Sequence, residues 1–391
     1  MKIAKMHMLY GTLKCMDIYE QAIEAHKKTK GKIYTALRGE VNKDTLKLYY
    51  SPGVGGASLY AKDDAKKLKD VSWTNNLVAI ISDGSAVLGL GDIGPEGAMP
   101  VMEGKAMLFK HFADIDAVPI VLNVHTVDEI VATVKAIAPS FGGINLEDIA
   151  APKCFEIEER LKAELDMPIM HDDQHGTAIV VLAGLINSLK LRGNQSIADV
   201  RIVLVGSGAA GTAIAKLLAL YGAKDIVAVD SKGIIGPDRT DLNSEKQTLL
   251  GFNTQKRSGT LQEAVKDADV FIGVSKAGLL TPDMVATMAK DPVIFALANP
   301  EPEILPDVAK QAGAYIVATG RSDYPNQVNN SLGFPGIFRG ALDNGVTKIT
   351  DQHKIAAAEA LAALVPQPSV DKIIPGPFDE GVVAAVANVI R

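Results

Sequence analysis

Carboxylates gather in this sequence where apolar runs end. Glu147 and Asp148 follow Phe141-Gly142-Gly143-Ile144-Asn145-Leu146, and Asp172 and Asp173 come just after Met167-Pro168-Ile169-Met170. Ligands of open α/β sheets bind beyond the carboxyl ends of the strands, so acids at those ends can converge. Oxygen donors without cysteine nearby suit a hard cation, Mg2+ or Mn2+, better than zinc. The same positions also suit helix N-caps or exposed loop acids. His171 and His175 have an i, i+4 spacing that zinc sites use. They straddle Asp172, Asp173 and Gln174 at a helix start, and read as capping or supporting groups.

A second feature is a lysine in apolar company. Lys105 stands within Met102-Glu103-Gly104-Lys105-Ala106-Met107-Leu108-Phe109, behind a glycine-dense stretch from Ser82 to Gly97 that reads as a flexible, ligand-wrapping loop or a set of surface turns. Burial disfavours the ammonium form and lowers its pKa, which makes a proton acceptor for alcohol oxidation. A lysine whose head snorkels to water is the plainer alternative.

A third feature is nucleotide chemistry. Val203-Leu204-Val205 leads into Gly206-Ser207-Gly208-Ala209-Ala210-Gly211 and then a helix from about Thr212 to Tyr221. The first glycine permits a tight turn, the second lets backbone approach a pyrophosphate, and the third lets helix pack on strand. The helix N-terminus then offers N–H groups and positive dipole to phosphates. Asp230 ends the next apolar run, where a carboxylate meets adenosine ribose hydroxyls and leans the choice toward NAD over NADP. Lys232 and Arg239 close behind temper that lean.

These groups need a scaffold, and the 391 residues suit two domains. Hydrophobic residues form 47% and charged residues 22% of the chain, as in ordinary globular proteins. A net charge of −6 argues against a nucleic-acid surface. Cys15 and Cys154 are too few for a disulfide framework or a thiolate cluster and read as reduced thiols. Met1 to Tyr10 carries no signal-peptide pattern, and Ala178 to Leu189 is too short to span a bilayer, so the expected location is cytoplasmic.

Asp17 to Lys30 reads as an exposed helix. Apolar runs at Leu77–Ile81, Val118–Val124 and Gly143–Leu146 then alternate with helical patterns at Gly104–Phe112, Val127–Ile137 and Cys154–Leu165. A long helix, His175 to Leu191, leads to runs at Val200–Val205, Ile226–Asp230, Val270–Val274, Val293–Leu297 and Ala314–Val317. Such alternation predicts an α/β protein with parallel strands covered on both faces. The expected domains are 1–168, smaller and bearing substrate and metal, and 169–391, a Rossmann-type doubly wound sheet.

Together these segments resemble the short bacterial malic enzymes over nearly the whole chain. The motifs are Tyr50-Ser51-Pro52-Gly53-Val54, the run from Asp83 to Lys105, Asn145-Leu146-Glu147-Asp148-Ile149-Ala150, His171-Asp172-Asp173-Gln174-His175-Gly176-Thr177-Ala178, Ala298-Asn299-Pro300, and Asn329-Asn330-Ser331-Leu332-Gly333-Phe334-Pro335-Gly336. The resemblance implies malate oxidation with NAD or NADP, decarboxylation to pyruvate and a homodimer. It implies Lys105 as base, Tyr50 as acid, Glu147, Asp148 and Asp173 as ligands of Mg2+ or Mn2+, Asn299 and Asn330 as malate contacts, and Asn329 near the nicotinamide.

The sequence departs from the family pattern in two places. Ala86 stands where large eukaryotic members carry a malate-clamping arginine, so another cation or backbone N–H groups must serve. Ser51 replaces the usual threonine after the tyrosine. No phosphotransacetylase-like extension is expected, and no regulation through one. An amino-acid dehydrogenase of similar plan would not need the three acids. A malolactic enzyme would keep every residue named, and a silent nucleotide sensor would not need them.

Overall fold

The structure, a computed structural model, describes residues 18–87 and 89–391. Cys15 and the Met1–Tyr10 segment lie outside the described residues. Three helices open the described chain: α1 (Ile18–Thr29), α2 (Lys43–Tyr49) and α3 (Val54–Asp63). None of them buries a residue. Asn42 starts α2 through a reciprocal cap with Thr45, which satisfies N–H groups the first turn leaves orphaned.

The first sheet is built from β1 (Leu77–Ser82), α4 (Gly94–Ala113), β2 (Asp116–Val121), α5 (Val127–Ile137), β3 (Gly143–Leu146), α6 (Lys153–Glu164) and β4 (Ile169–His171). Its strands run in the order β2-β1-β3-β4, all parallel. Every residue of β1 is buried, as a strand covered on both faces requires. Thr126 and Glu129 cap α5 reciprocally.

Two elements differ from expectation. Helix α4 begins at Gly94 rather than Gly104, because Pro95 suits a first helical turn and Ala98 and Met102 find buried places. The glycine-dense stretch is thus a loop only as far as Ile93. Strand β4 carries the first sheet three residues past the boundary expected at 168.

A long helix, α7 (Asp172–Leu191), connects to the second sheet, formed by β5 (Arg201–Val205), α8 (Ala209–Leu220), β6 (Asp225–Asp230), β7 (Gly233–Ile234), α9 (Ser244–Phe252), β8 (Val270–Gly273), β9 (Val293–Ala296) and β10 (Ile316–Thr319). The strand order is β10-β9-β8-β5-β6-β7. All pairs are parallel except the short β7, antiparallel to β6. The protein is therefore α/β, with a Rossmann-type parallel sheet following a smaller α/β unit. Among the described residues no helix is long and apolar enough to cross a membrane.

The chain closes with α10 (Phe334–Asn344), α11 (Asp351–Ala363) and α12 (Val382–Ala387). Helix α10 returns to the first sheet, where Phe334 and Phe338 pack on Phe109 with ring centroids 4.7 and 5.4 Å away. One apolar cluster joins Val78, Ile80 and Phe109 to Ile202, Leu204 and Phe295 through Val180, Val181 and Leu185 of α7. Each such fully buried side chain stabilises the fold by about 1.5–3 kcal/mol.

Candidate active site

The carboxyl ends of β3 and β4 lie side by side, because Leu146 pairs with His171. That register delivers the expected acids to one place. Glu147, Asp148 and Asp173 each offer an oxygen, and these oxygens lie within 4.8 Å of one another. The backbone N–H of Asp148 donates to Asp173 Oδ2 at 2.8 Å, which ties the two strand ends together. Asp148 adopts φ 53°, a left-handed conformation that costs a non-glycine residue energy and tends to persist at functional sites.

Lys105 is 8% exposed and does not snorkel. Its Nζ lies 2.6 Å from Asp172 Oδ2 and 2.8 Å from Glu147 Oε1, with the Phe334 ring 4.3 Å away. Burial alone would lower its pKa, as the sequence suggests. Asp172 and Glu147 beside it together outweigh burial and hold the lysine above its ordinary range.

The acids pay for that crowding: burial pushes Asp172 up to about 7 and Asp173 up to about 6, and raises Glu147 as well. One ammonium cannot compensate four carboxylates out of water. The donor set, all oxygen and short of positive charge, fits a hard divalent cation.

Asp172 is the acid that the sequence reading named at a strand end but gave no role. It is fully buried and begins α7, one position before Asp173. Gly176 makes its placement possible, since a Cβ there would overlap Asp172 Oδ1. The same Cβ would stand 3.0 Å from the Cβ of Asn330, so Asn330 borders the acid cluster.

The histidines play other parts than capping. His171 occupies the N-cap position of α7, yet its ring caps nothing: its nitrogens make no hydrogen bond among the described residues, and Nδ1 lies 3.8 Å from Asp173 Oδ2. His175 pairs with Glu158 Oε2 at 2.8 Å. Burial pushes it down to about 4, so it is neutral and donates to that carboxylate. Glu158 also accepts the backbone N–H of His171 at 2.9 Å and fixes the start of α7.

Other expected residues are placed less centrally. Asn299 follows β9, and its carbonyl would lie 2.6 Å from a Cβ on Gly89, so the loops of the two sheets meet there. Asn329 Oδ1 accepts the Ser331 N–H at 2.9 Å and caps a short turn. The N–H of Ala86 is spent on the Asp148 carbonyl at 3.0 Å and is not left for a ligand carboxylate. Tyr50 is 72% exposed, and its hydroxyl has no hydrogen-bond partner among the described residues.

The glycine turn takes the expected form. Gly206 has φ 113°, and its N–H donates to the Val229 carbonyl at 2.9 Å. A Cβ on Gly211 would overlap the Gly206 carbonyl, so helix and turn approach more closely than any side chain would allow. A Cβ on Gly208 would meet nothing within 4 Å. Backbone N–H groups from Ser207 to Ala210 thus border open space at the head of α8, a fitting cradle for a pyrophosphate. Asp230 stands one residue past Val229, and its surroundings include Lys246, which the sequence reading did not single out.

Known proteins align with this arrangement throughout. Residues 26–162 match the family described as malic enzyme, N-terminal domain, and residues 174–380 match malic enzyme, NAD binding domain. The chain is 55% identical over 380 residues to the bifunctional malic/malolactic enzyme of Bacillus subtilis, covering 96% of this chain and 92% of that protein. It is 50% identical over 364 residues to the NAD-dependent malic enzyme of Geobacillus stearothermophilus, covering 92% and 76%. The crystal structure of the NAD-dependent malic enzyme of Thermotoga maritima superposes with a TM-score of 0.92 at 50% identity, covering 94% of this chain and 98% of that one. With both domains matched in order and the acid cluster at the strand ends between them, the chain belongs to the malic enzyme family.

Proposed function

We propose that this protein oxidises (S)-malate with NAD or NADP and releases pyruvate and carbon dioxide, using Mg2+ or Mn2+. The observation that carries this reading is the cluster of Glu147, Asp148 and Asp173 within 4.8 Å, with the Lys105 amine 2.8 Å from Glu147. Those three acids would hold the divalent cation, which would supply Lewis acidity at the substrate oxygens. The turn from Gly206 to Gly211 would hold the pyrophosphate of the nicotinamide cofactor, the hydride acceptor of the reaction.

Lys105 Nζ receives the malate hydroxyl proton. The same acids favour its ammonium form, and neutralising their charge withdraws that support, so the amine is freed when the site is loaded. Asn299 and Asn330 hold malate through their amides, and Asn329 stands toward the nicotinamide end. Phe334, stacked on Lys105, keeps water from the amine.

Tyr50 returns a proton to the substrate carbon after decarboxylation. Its exposure in one chain favours a homodimer in which Tyr50 of the partner subunit completes the site. Helices α1 to α3, which bury no residue, and the uncovered Tyr34, Leu37, Leu48 and Tyr49 support such an association. Small molecules are the substrates. The buried, unpaired thiol of Cys154 is consistent with the cytoplasm.

The test is a steady-state assay with malate, each nicotinamide and each metal, following reduced cofactor and pyruvate together. Reduced nicotinamide and pyruvate should appear in equal amounts and stop with a chelator. Turnover that survives chelation would favour an amino-acid dehydrogenase type of chemistry. The Bacillus subtilis relative is named for malolactic activity as well, and lactate formed without net reduced cofactor would move the assignment there.

A further inference from the structure

Glu158 stands behind the acid cluster rather than in it. It lies in the second turn of α6 and is buried. Its Oε1 accepts the His171 backbone N–H at 2.9 Å and lies 2.6 Å from Lys162 Nζ. Its Oε2 accepts from His175 Nε2 at 2.8 Å. His171 is the residue at which α7 starts, and His175 follows one turn later, so the two share a side of the helix. One carboxylate thus holds both ends of the turn that carries Asp172 and Asp173. Those acids are engaged elsewhere, Asp172 with Lys105 at 2.6 Å and Asp173 with the Asp148 N–H at 2.8 Å.

That hold opposes a force that would open the site. Glu147, Asp148, Asp172 and Asp173 crowd at the ends of β3 and β4 with one ammonium among them. Like charges kept from water repel each other strongly. The first turn of a helix yields most easily, because its leading N–H groups have no partner within the helix. A side chain of that same turn often accepts the N–H of the capping residue. Here α7 has no such cap, and the acceptor comes from α6 instead. The Asp148 N–H ties the turn from the front, and Glu158 ties it from behind.

We propose that Glu158 is a positioning residue that sets the first turn of α7 in its metal-binding form before a cation arrives. Its effect is on the affinity of the acid cluster for Mg2+ or Mn2+. Hydrogen-bonded groups that orient metal ligands are worth about ten- to a hundredfold in that affinity. The inference rests on the assignment of Glu147, Asp148 and Asp173 to a divalent cation.

Amide hydrogen exchange of the full-length parent reads the readiness of the turn without any variant. Amides 171–175 should be protected in the absence of metal, and saturating Mn2+ should slow them by no more than about threefold. Calorimetric titration with Mn2+, at a temperature where each protein is folded, then reads affinity. Glu158→Met fills the space but offers no acceptor, and should weaken Mn2+ binding by about ten- to a hundredfold. Glu158→Gln keeps an oxygen for the His171 N–H and gives His175 a donor in exchange for an acceptor, which that ring can meet in its other tautomer. It should bind Mn2+ within about threefold of the parent. The exchange measurement decides the matter should Glu158→Met fail to fold.

Parent-like Mn2+ affinity in folded Glu158→Met, an equal loss in Glu158→Gln, or a turn protected only after Mn2+ is added overturns the proposal. A parent that binds no Mn2+ removes the metal assignment itself, and the proposal with it.

Discussion

Lys105 Nζ and Asp172 Oδ2 stand 2.6 Å apart in a setting closed to water, with Asp172 wholly buried and Glu147 on the other side of the same ammonium. Position along the chain does not pair them, since they stand 67 positions apart. The pairing makes Lys105 the centre of the cluster. Lys105→Ala should reduce malate oxidation by about 10²–10⁴-fold, the usual worth of a positioned acid or base, while NAD still binds. Parent-rate turnover by that variant would dismiss Lys105 as the base.

Metal should report on Asp173 through stability as well as activity. At a hundred times its Kd, a ligand that binds only the folded state stabilises it by about 2.7 kcal/mol. Mn2+ should therefore raise the parent Tm clearly. Asp173→Ala should show little such rise and need far more Mn2+ for turnover. Equal Tm responses would take Asp173 out of the metal site.

Acidity should oppose that binding in a defined window. In the metal-free protein Asp173 is pushed up to about 6 and Asp172 to about 7 by burial. A raised folded-state pKa means that the cluster holds protons below that range, and a cation must displace them. Mn2+ affinity should rise as pH climbs from 5 toward 7, by about tenfold per unit for each proton displaced, and level off above. An isothermal titration series across that range that shows no slope would contradict the protonation assigned here.

Gly208 separates folding from nucleotide binding. A Cβ there meets no protein atom, unlike one on Gly211. Gly208→Ala should keep the parent Tm to within about 1 °C yet weaken NAD by about tenfold, because the methyl enters space that a pyrophosphate needs. Undiminished NAD affinity would put the pyrophosphate elsewhere.

Exposure of Tyr50 invites a complementation test. Tyr50→Phe and Lys105→Ala should each be nearly inactive alone. If each site draws its tyrosine across a two-fold axis, unfolding and refolding them together makes heterodimers with one intact site, restoring about a quarter of parent activity. No recovery in a mixture shown to contain heterodimers would return Tyr50 to its own chain's site.

Much of this architecture was legible because local rules and burial agree. Val127–Ile137 is a helix over the residues its pattern marks, with Thr126 and Glu129 capping it. Gly143–Leu146 and the turn at Gly206 are equally plain. Asp172 was harder, since adjacent acids at a helix start look alike in sequence. Successive helical residues point about 100° apart, so one acid reaches Lys105 while its neighbour joins Glu147 and Asp148. Lys246 was hidden for a related reason: its partner lies 16 residues back on another element. Pro95 is a local sign of a helix start at Gly94, but Pro100 five residues on argues the other way, and packing settles it.

Helix α7 gives the molecule a further character. Its first turn carries Asp172 and Asp173, and the buried turns behind them are wedged among residues from both sheets. Gly184, far along that helix, lies so near the Phe295 ring that even a methyl would press on it at 3.0 Å. Each half keeps a smaller apolar cluster of its own, but the largest is shared between them. Cutting the chain between them would strip each piece of the wall it leans on, so reactivity and solidity here are inherited as a single trait.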